Sequence, residues 1–361
     1  MRILFSACPM YGHVNTVLPL ALAARRAGHD VAVATGPDLV PHVRRYGVDA
    51  WLVGPTHREA GGGPDADWMA YFASSAAARA EDLVPRAVSW SPDLVVSEET
   101  ELAGPVAAAA AGARHVVHGL GIMPPLRIWD AFAIMLRGLY GHWRIRTDVP
   151  AVRDVLYLEI CPPALRPEGE ERIWHRTLSV RPAMGEPMPG ETLPAAVDAL
   201  PYADTVHLTL GTVFHDNRAV LRTALDGLRD LSVNVVVTAG DLGPQPPHVL
   251  VAPYMPHALL LPRCRAVVSQ GGAGVMFGAL AHGLPQLVLP QGAEQFLNAE
   301  AGQRAGASVT LLPDEVTATA VTTAVGRLLD DPTFAGAAKA VRAEIEQMHT
   351  PDETLAVLER S

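Results

Sequence analysis

Residues 270–274, Gln-Gly-Gly-Ala-Gly, stand between a buried-strand pattern at Ala266–Ser269 and an apolar helical run through Gly278. Gly271, Gly272 and Gly274 permit positive φ and close backbone approach. The helix start behind them offers unpaired N–H groups, including those of Ala273 and Val275, and a partial positive charge, which suits a phosphate or diphosphate. Three glycines in four positions favour that chemistry over a tight turn that binds nothing. The spacing Gly272-x-Gly274-x-x-x-Gly278 also outlines a loose dinucleotide fingerprint, and Glu294 lies near the ~20-residue offset of a ribose-binding acid. An NAD(P)-dependent oxidoreductase is therefore an alternative reading. Against it, the turn after the first strand of the chain (CPMYGHVN) lacks the glycine fingerprint.

His13 follows a glycine where that first strand meets the first helix. Its imidazole can take a proton near neutral pH and so could deprotonate a hydroxyl, although most lone histidines are structural and this chain has 14. Trp129, Phe132, Leu136, Tyr140 and Trp143 recur at three- or four-residue spacing, as on one helix face. With Met123 just before them, they read either as core or as a wall for an apolar ligand. Residues 55–76, including Gly61-Gly-Gly63 and Trp68, look like a mobile loop over that wall.

The elements that must hold these groups are short Val/Ile/Leu strands alternating with helices. They are expected at Arg2–Ala7, Asp30–Thr35, Asp93–Ser97 and His115–His118, then at Val206–Leu210, Asn234–Thr238, Ala266–Ser269, Gln286–Leu289 and Ser308–Leu311. Such a pattern means parallel sheets with right-handed crossovers, and ligands of such sheets sit at the strand carboxyl ends. Residues 183–204 are rich in Pro, Gly and Glu. The expected division is an N-terminal Rossmann-like domain over 1–190, a linker over 191–204 and a second Rossmann-like domain over 205–335. A helical segment, 336–361, follows and is expected to pack partly on the first domain. At 361 residues, 49% apolar and 18% charged, the chain can build two cores. A net charge of −10 without basic runs argues against a nucleic-acid partner. Cys8, Cys161 and Cys264 are far apart, which disfavours a disulfide framework or zinc site and fits a reducing cytoplasm. No apolar run approaches the ~20 residues of a membrane span, and no signal peptide is evident.

The chain resembles the family 1 glycosyltransferases of GT-B fold, especially the actinobacterial enzymes that glycosylate polyketide, enediyne and macrolide antibiotics. The matching pieces are Tyr254-Met-Pro-His257-Ala-Leu-Leu, Gly271-Gly-Ala-Gly274, Gly283-Leu-Pro285-Gln-Leu-Val-Leu-Pro290 and Glu294-Gln295…Asn298-Ala. Upstream stand Thr209-Leu-Gly211-Thr212, Gly12-His13-Val-Asn15, Ala27-Gly-His29-Asp-Val and Asp93-Leu-Val-Val. The resemblance implies α/β architecture, with two facing Rossmann-like doubly wound domains and a cleft between them. It implies inverting, metal-independent sugar transfer with no cofactor, from a dTDP- or UDP-sugar to a small hydrophobic aglycone. His13 would be the base and Glu98 its orienting acid; a register shift of one would put Glu99 in that role, and otherwise Glu99 and Glu101 read as solvated loop acids. Tyr254 would stack on the nucleobase, Gln270 and the Gly271–Val275 N–H groups would meet the diphosphate, and Thr212 would be a second phosphate contact. Glu294 and Gln295 would touch the sugar, while Trp68, Met123, Trp129, Phe132, Leu136 and Tyr140 would line the acceptor side. The chain departs from the family at Gln270, usually His, at Val275, usually Thr or Ser, and at Glu294, usually Asp. Losing one charged hydrogen bond of ~1.5–3 kcal/mol would weaken donor binding about tenfold or more, so a catalytically silent relative that binds an aglycone or partner is a further alternative reading. Asp65-Ala-Asp67 spells the metal-binding DxD of the other glycosyltransferase fold, but no strand precedes it, so it reads as surface acids. Homodimerisation is left open.

Overall fold

The computed structural model describes residues 1–360 apart from 64–65, 124, 147–153, 168–173, 183–186, 188–190 and 212–216. The chain divides into two compact units. One comprises Met1–Cys161, Glu168–Gly185 and Met348–Ser361, and the other comprises Pro162–Pro167 and Glu186–Gln347.

The first unit holds β1 (Arg2–Ser6), β2 (Asp30–Thr35), β3 (Asp49–Leu52), β4 (Leu94–Glu98), β5 (Arg114–His118), β6 (Leu156–Glu159) and β7 (Arg176–Ser179). They form one parallel sheet in the order β3-β2-β1-β4-β5-β6-β7. Its helices are α1 (Tyr11–Arg26), α2 (Val40–Arg45), α3 (Trp68–Trp90), α4 (Ala103–Ala111) and α5 (Leu126–His142). The second unit holds β8 (Thr205–Thr209), β9 (Asn234–Thr238), β10 (Val249–Ala252), β11 (Ala266–Ser269), β12 (Gln286–Val288) and β13 (Ser308–Thr310). These too are parallel, in the order β10-β9-β8-β11-β12-β13. Its helices are α6 (Arg218–Arg229), α7 (His257–Leu260), α8 (Ala273–Ala281), α9 (Gln295–Arg304), α10 (Ala318–Asp330) and α11 (Pro332–Gln347). The last helix, α12 (Pro351–Arg360), lies in the first unit, where Asp352 and Glu359 meet Arg26 (3.3 Å) and His29 (2.8 Å) at the end of α1.

Strands β4, β8 and β11 are buried along their whole length, as parallel strands covered by helices on both faces must be. Each burial of a Val or Leu side chain contributes about 1.5–3 kcal/mol. Both sheets reverse their strand order once, between β1 and β4 and between β8 and β11. At such a switch point the loops leaving neighbouring strands diverge and open a crevice at the carboxyl ends.

The loop expected over 55–76 is shorter than the sequence suggests. α3 already begins at Trp68, and Asp67 caps it by accepting from the N–H groups of Met69 and Ala70, both at 3.1 Å. Asp67 is thus a helix cap, while Asp65 falls outside the described residues. Among the described residues no helix is long and apolar enough to cross a membrane.

Candidate active site

In the first unit the switch point lies between β1 and β4, and His13 and Glu98 come from the two strands' carboxyl ends. His13 is the third residue of α1, and Glu98 closes β4. Their side chains meet at 2.9 Å between Nδ1 and Oε1, with the imidazole 17% exposed and the carboxylate wholly buried. Glu98 also accepts from the N–H groups of Thr100 (2.7 Å) and Cys8 (3.1 Å) and from the Thr100 hydroxyl. Burial pushes its carboxyl up, but His13 and these hydrogen bonds outweigh burial and hold it at about 2. An ionised carboxylate only accepts, so Nδ1 of His13 is the donor and Nε2 of the neutral ring carries the free lone pair. The partly exposed imidazole is therefore set up to receive a proton at Nε2.

Glu99 and Glu101, expected as solvated loop acids, are instead buried, at 6% and 1% exposure. Glu99 accepts from the Tyr157 hydroxyl at 2.5 Å. Glu101 accepts from Arg79 Nε at 2.9 Å and from the Ser6 hydroxyl and Gly104 N–H, each at 2.7 Å. Each acid finds a distant partner, which is what allows burial.

Beside this pair lies an aromatic cluster. Cys8, Met10 and Tyr71 are buried together, with Trp68 and Phe72 half-buried against them. His57, which no spacing in the sequence singles out, stacks on Trp68 with ring centroids 6.0 Å apart and bonds the Tyr71 hydroxyl at 3.2 Å. Burial, and in smaller part His13, lower its pKa against the pull of Asp38. The recurring α5 residues Trp129, Phe132, Leu136 and Tyr140 are all buried in the core of this unit, and Met123 packs half-buried against them. Only Trp68 and Met123 of the expected acceptor residues keep appreciable exposure.

In the second unit the switch point lies between β8 and β11. Gly211 follows β8 with φ +71°, and a Cβ there would overlap the Gln270 amide. Gln270 therefore lies across Gly211. It is 7% exposed, and among the described residues its Oε1 has no hydrogen-bond partner. Gly271 has φ +85°, and a Cβ on it would come within 2.5 Å of Val288. Its own N–H is used, donating to Ser269 Oγ at 3.1 Å, and its carbonyl accepts from Asn298 Nδ2 at 2.8 Å. The open donors are thus those of the α8 start. The cap residue, Gly272, has no side chain to satisfy them, and the N–H groups of Ala273, Gly274 and Val275 have no intrahelical acceptor. The Val275 side chain is buried, leaving its N–H as the group on offer.

Gln295 is buried and accepts from the N–H groups of Gln291 (2.8 Å) and Gly292 (3.3 Å), bracing the loop before α9. Only its Nε2 remains for a sugar. Within that loop Ala293 adopts φ +52°, a strained position for a residue with a Cβ, immediately before the exposed Glu294. Tyr254 is 59% exposed, as a stacking ring needs. Thr212 lies outside the described residues. Nearby, His207 Nε2 and His257 Nε2 lie 3.1 Å apart, and Nδ1 of His207 donates to the Val236 carbonyl at 2.9 Å. No spacing in the sequence announces this pair.

Among the described residues Cys8, His13 and Glu98 converge as metal-ligand types. Burial, then the Glu98 charge, drive the Cys8 thiol well above its ordinary pKa, which disfavours the thiolate that a metal would take.

The N-terminal domain of Erythromycin biosynthesis protein CIII-like proteins matches residues 67–172, and their C-terminal domain matches residues 222–360. The L-demethylnoviosyl transferase of Streptomyces niveus is 33% identical over 87% of this chain and 86% of its own length. Elloramycin glycosyltransferase ElmGT of Streptomyces olivaceus is 32% identical over 99% of this chain and 97% of its own. The solved structure of the glycosyltransferase SsfS6 from Streptomyces sp. SF2575, complexed with thymidine diphosphate, matches with a TM-score of 0.83 at 26% identity, covering 100% of both chains.

Proposed function

The chain belongs to the Erythromycin biosynthesis protein CIII-like family of antibiotic glycosyltransferases, and from that premise we propose an inverting transfer of a sugar, often a deoxysugar, from a dTDP- or UDP-activated donor to a hydroxyl of a small hydrophobic natural-product aglycone. The thymidine diphosphate held by SsfS6 favours dTDP over UDP. Sugar-transferase names among the relatives favour this reading over an oxidoreductase.

The observation that carries it is the His13–Glu98 pair at the first switch point. Nε2 of His13 takes the hydroxyl proton as the acceptor oxygen attacks the anomeric carbon, and the bond from that carbon to the diphosphate breaks. Glu98 stabilises the imidazolium that forms. The charge growing on the departing diphosphate meets the N–H groups of Gly272–Val275 and the Gln270 amide. Tyr254 stacks on the base, Thr212 makes a second phosphate contact, and Glu294 with the Gln295 amide holds the sugar. No step calls for a metal or a cofactor.

The test is His13→Ala. Turnover of an oxygen acceptor falls about 10²–10⁴-fold, while calorimetric titration with dTDP is unchanged; normal turnover would sink the assignment. One observation favours a second reading, binding without transfer. Gln270 stands where the family resemblance leads one to expect a chargeable His, and among the described residues its Oε1 has no hydrogen-bond partner. Aglycone binding by the wild type with no transfer from any nucleotide sugar would establish that reading.

A further inference from the structure

The side chain of Arg79, in the middle of α3, is wholly buried, and its guanidinium reaches three different loops. Nε donates to Glu101 Oε1 at 2.9 Å, Nη2 to the Ala7 carbonyl at 3.0 Å and Nη1 to the Val53 carbonyl at 3.3 Å. These acceptors follow β4, β1 and β3: Glu98 closes β4, His13 lies in the first turn of α1 after β1, and His57 lies in the loop after β3. Room for the side chain comes from Gly54. It sits at φ +69°, and a Cβ there would lie 2.5 Å from Arg79 Cγ. Glycine is required twice over, by the backbone and by the guanidinium stem.

The Ala7 carbonyl belongs to the same planar peptide as the Cys8 N–H. That N–H donates to Glu98 Oε1 at 3.1 Å, and Glu98 in turn holds Nδ1 of His13. One unbroken chain of hydrogen bonds therefore runs from Arg79 through a single peptide group and Glu98 to the imidazole. We propose that Arg79 is a positioning residue for sugar transfer, clamping the Ala7–Cys8 peptide so that Glu98 presents the His13 ring at a fixed angle. This inference rests on reading His13 as the base. A mere ion pair with Glu101 would leave the two carbonyl bonds without purpose. The forked guanidinium makes all three contacts at once, which a lysine ammonium on a single flexible stem does not reproduce.

Two variants separate positioning from stability. Arg79→Lys keeps the charge beside Glu101 but gives up the fork. Arg79→Met with Glu101→Gln removes both charges, and replacing a buried pair is often near neutral in stability; Gln still accepts from Ser6 and Gly104 through one oxygen. Thermal midpoint, kcat, donor KM and the NMR resonance of the hydrogen-bonded His13 Nδ1–H, identified by its loss in His13→Ala, are read in each. The clamp predicts a midpoint near wild type in at least the double variant, an unchanged donor KM, kcat lowered about 10²-fold as expected for a slight misplacement, and a shifted Nδ1–H resonance. Recovery of kcat and of the wild-type resonance together with the midpoint would overturn it. If the wild type transfers no sugar to oxygen acceptors, the base reading fails separately. The resonance alone then decides: a shift in Arg79→Lys upholds the clamp, and an unchanged signal refutes it.

Discussion

A single proton on His13 Nδ1 ties the ring to Glu98, and that carboxylate stays ionised down to about pH 2. Replacing it by Gln removes the charge that stabilises the imidazolium and lets an amide N–H bond Nδ1, which moves the ring proton to Nε2. Glu98→Gln is therefore expected to lower kcat about 10²–10⁴-fold with dTDP affinity unchanged, as steady-state kinetics and calorimetry would report. In stability the same group has its own pH window. Its folded pKa lies below the ordinary 4.5, so its contribution is complete above that value and is lost as pH falls toward 2. The residue types and the Gly-His step make His13 legible in the sequence, and Glu98 is legible only through resemblance. The burial of Glu99 and Glu101 is not, because the partners that bury them stand 58 and 22 residues away.

At the scale of elements, two strand-to-helix junctions present open N–H groups or the His13 imidazole because the sheet order reverses beside each. The glycine turn after β11 is readable from composition, and its geometry adds a reason for Gly271. Any side chain would be strained at φ +85° and would run into Val288. Gly271→Ala should destabilise the second unit by about 1–2 kcal/mol and weaken dTDP binding at least about tenfold, a difference of about 1.4 kcal/mol. Calorimetry against urea unfolding separates the two effects, and wild-type affinity would show that the turn does not cradle the donor. The expected aromatic wall is an instructive contrast. Three- to four-residue spacing marks a buried helix face whether the cover is core or ligand, and here the α5 face is covered by core. Strands β3, β6, β7 and β10 are not among those expected from the sequence. In the edge strands β3 and β7, four residues each, Asp49, Arg176 and Ser179 break the apolar run that marks a central strand, whereas β6 is central and β10 (Val-Leu-Val-Ala) is apolar but only four residues long.

At the scale of the whole molecule, burial lowers the pKa of six histidines among the described residues, four of them most strongly. His115 and His118 in the first unit and His257 in the second sit at about 4, and His207 at about 3. All lie below the ordinary 6.5 of an unfolded chain. Below pH 6.5 the unfolded state binds protons that the folded state refuses, so stability is complete above 6.5 and declines as pH falls toward 4. A tenfold difference in proton affinity between the two states corresponds to about 1.4 kcal/mol. Urea midpoints at pH 7.5, 6 and 5 should fall progressively in the transitions of both units. Midpoints that hold constant down to pH 5 would mean these rings are protonated or solvated in the folded state.

The chain by itself determined what local chemistry can express. Alternating runs of apolar strand and helix specify parallel α/β units, a glycine-rich turn before a helix offers open N–H groups suited to an anion, and a Gly-His step after the first strand offers a candidate base. Those signals live within a few residues, where backbone geometry and periodicity act. Only the tertiary structure decided which acids are buried, which aromatics are core, where His57 and the His207–His257 pair lie, and that Arg79 joins three loops through one guanidinium. Such facts depend on which distant groups share a low-dielectric interior. Burial of a charge is settled by its partners and not by its neighbours in sequence.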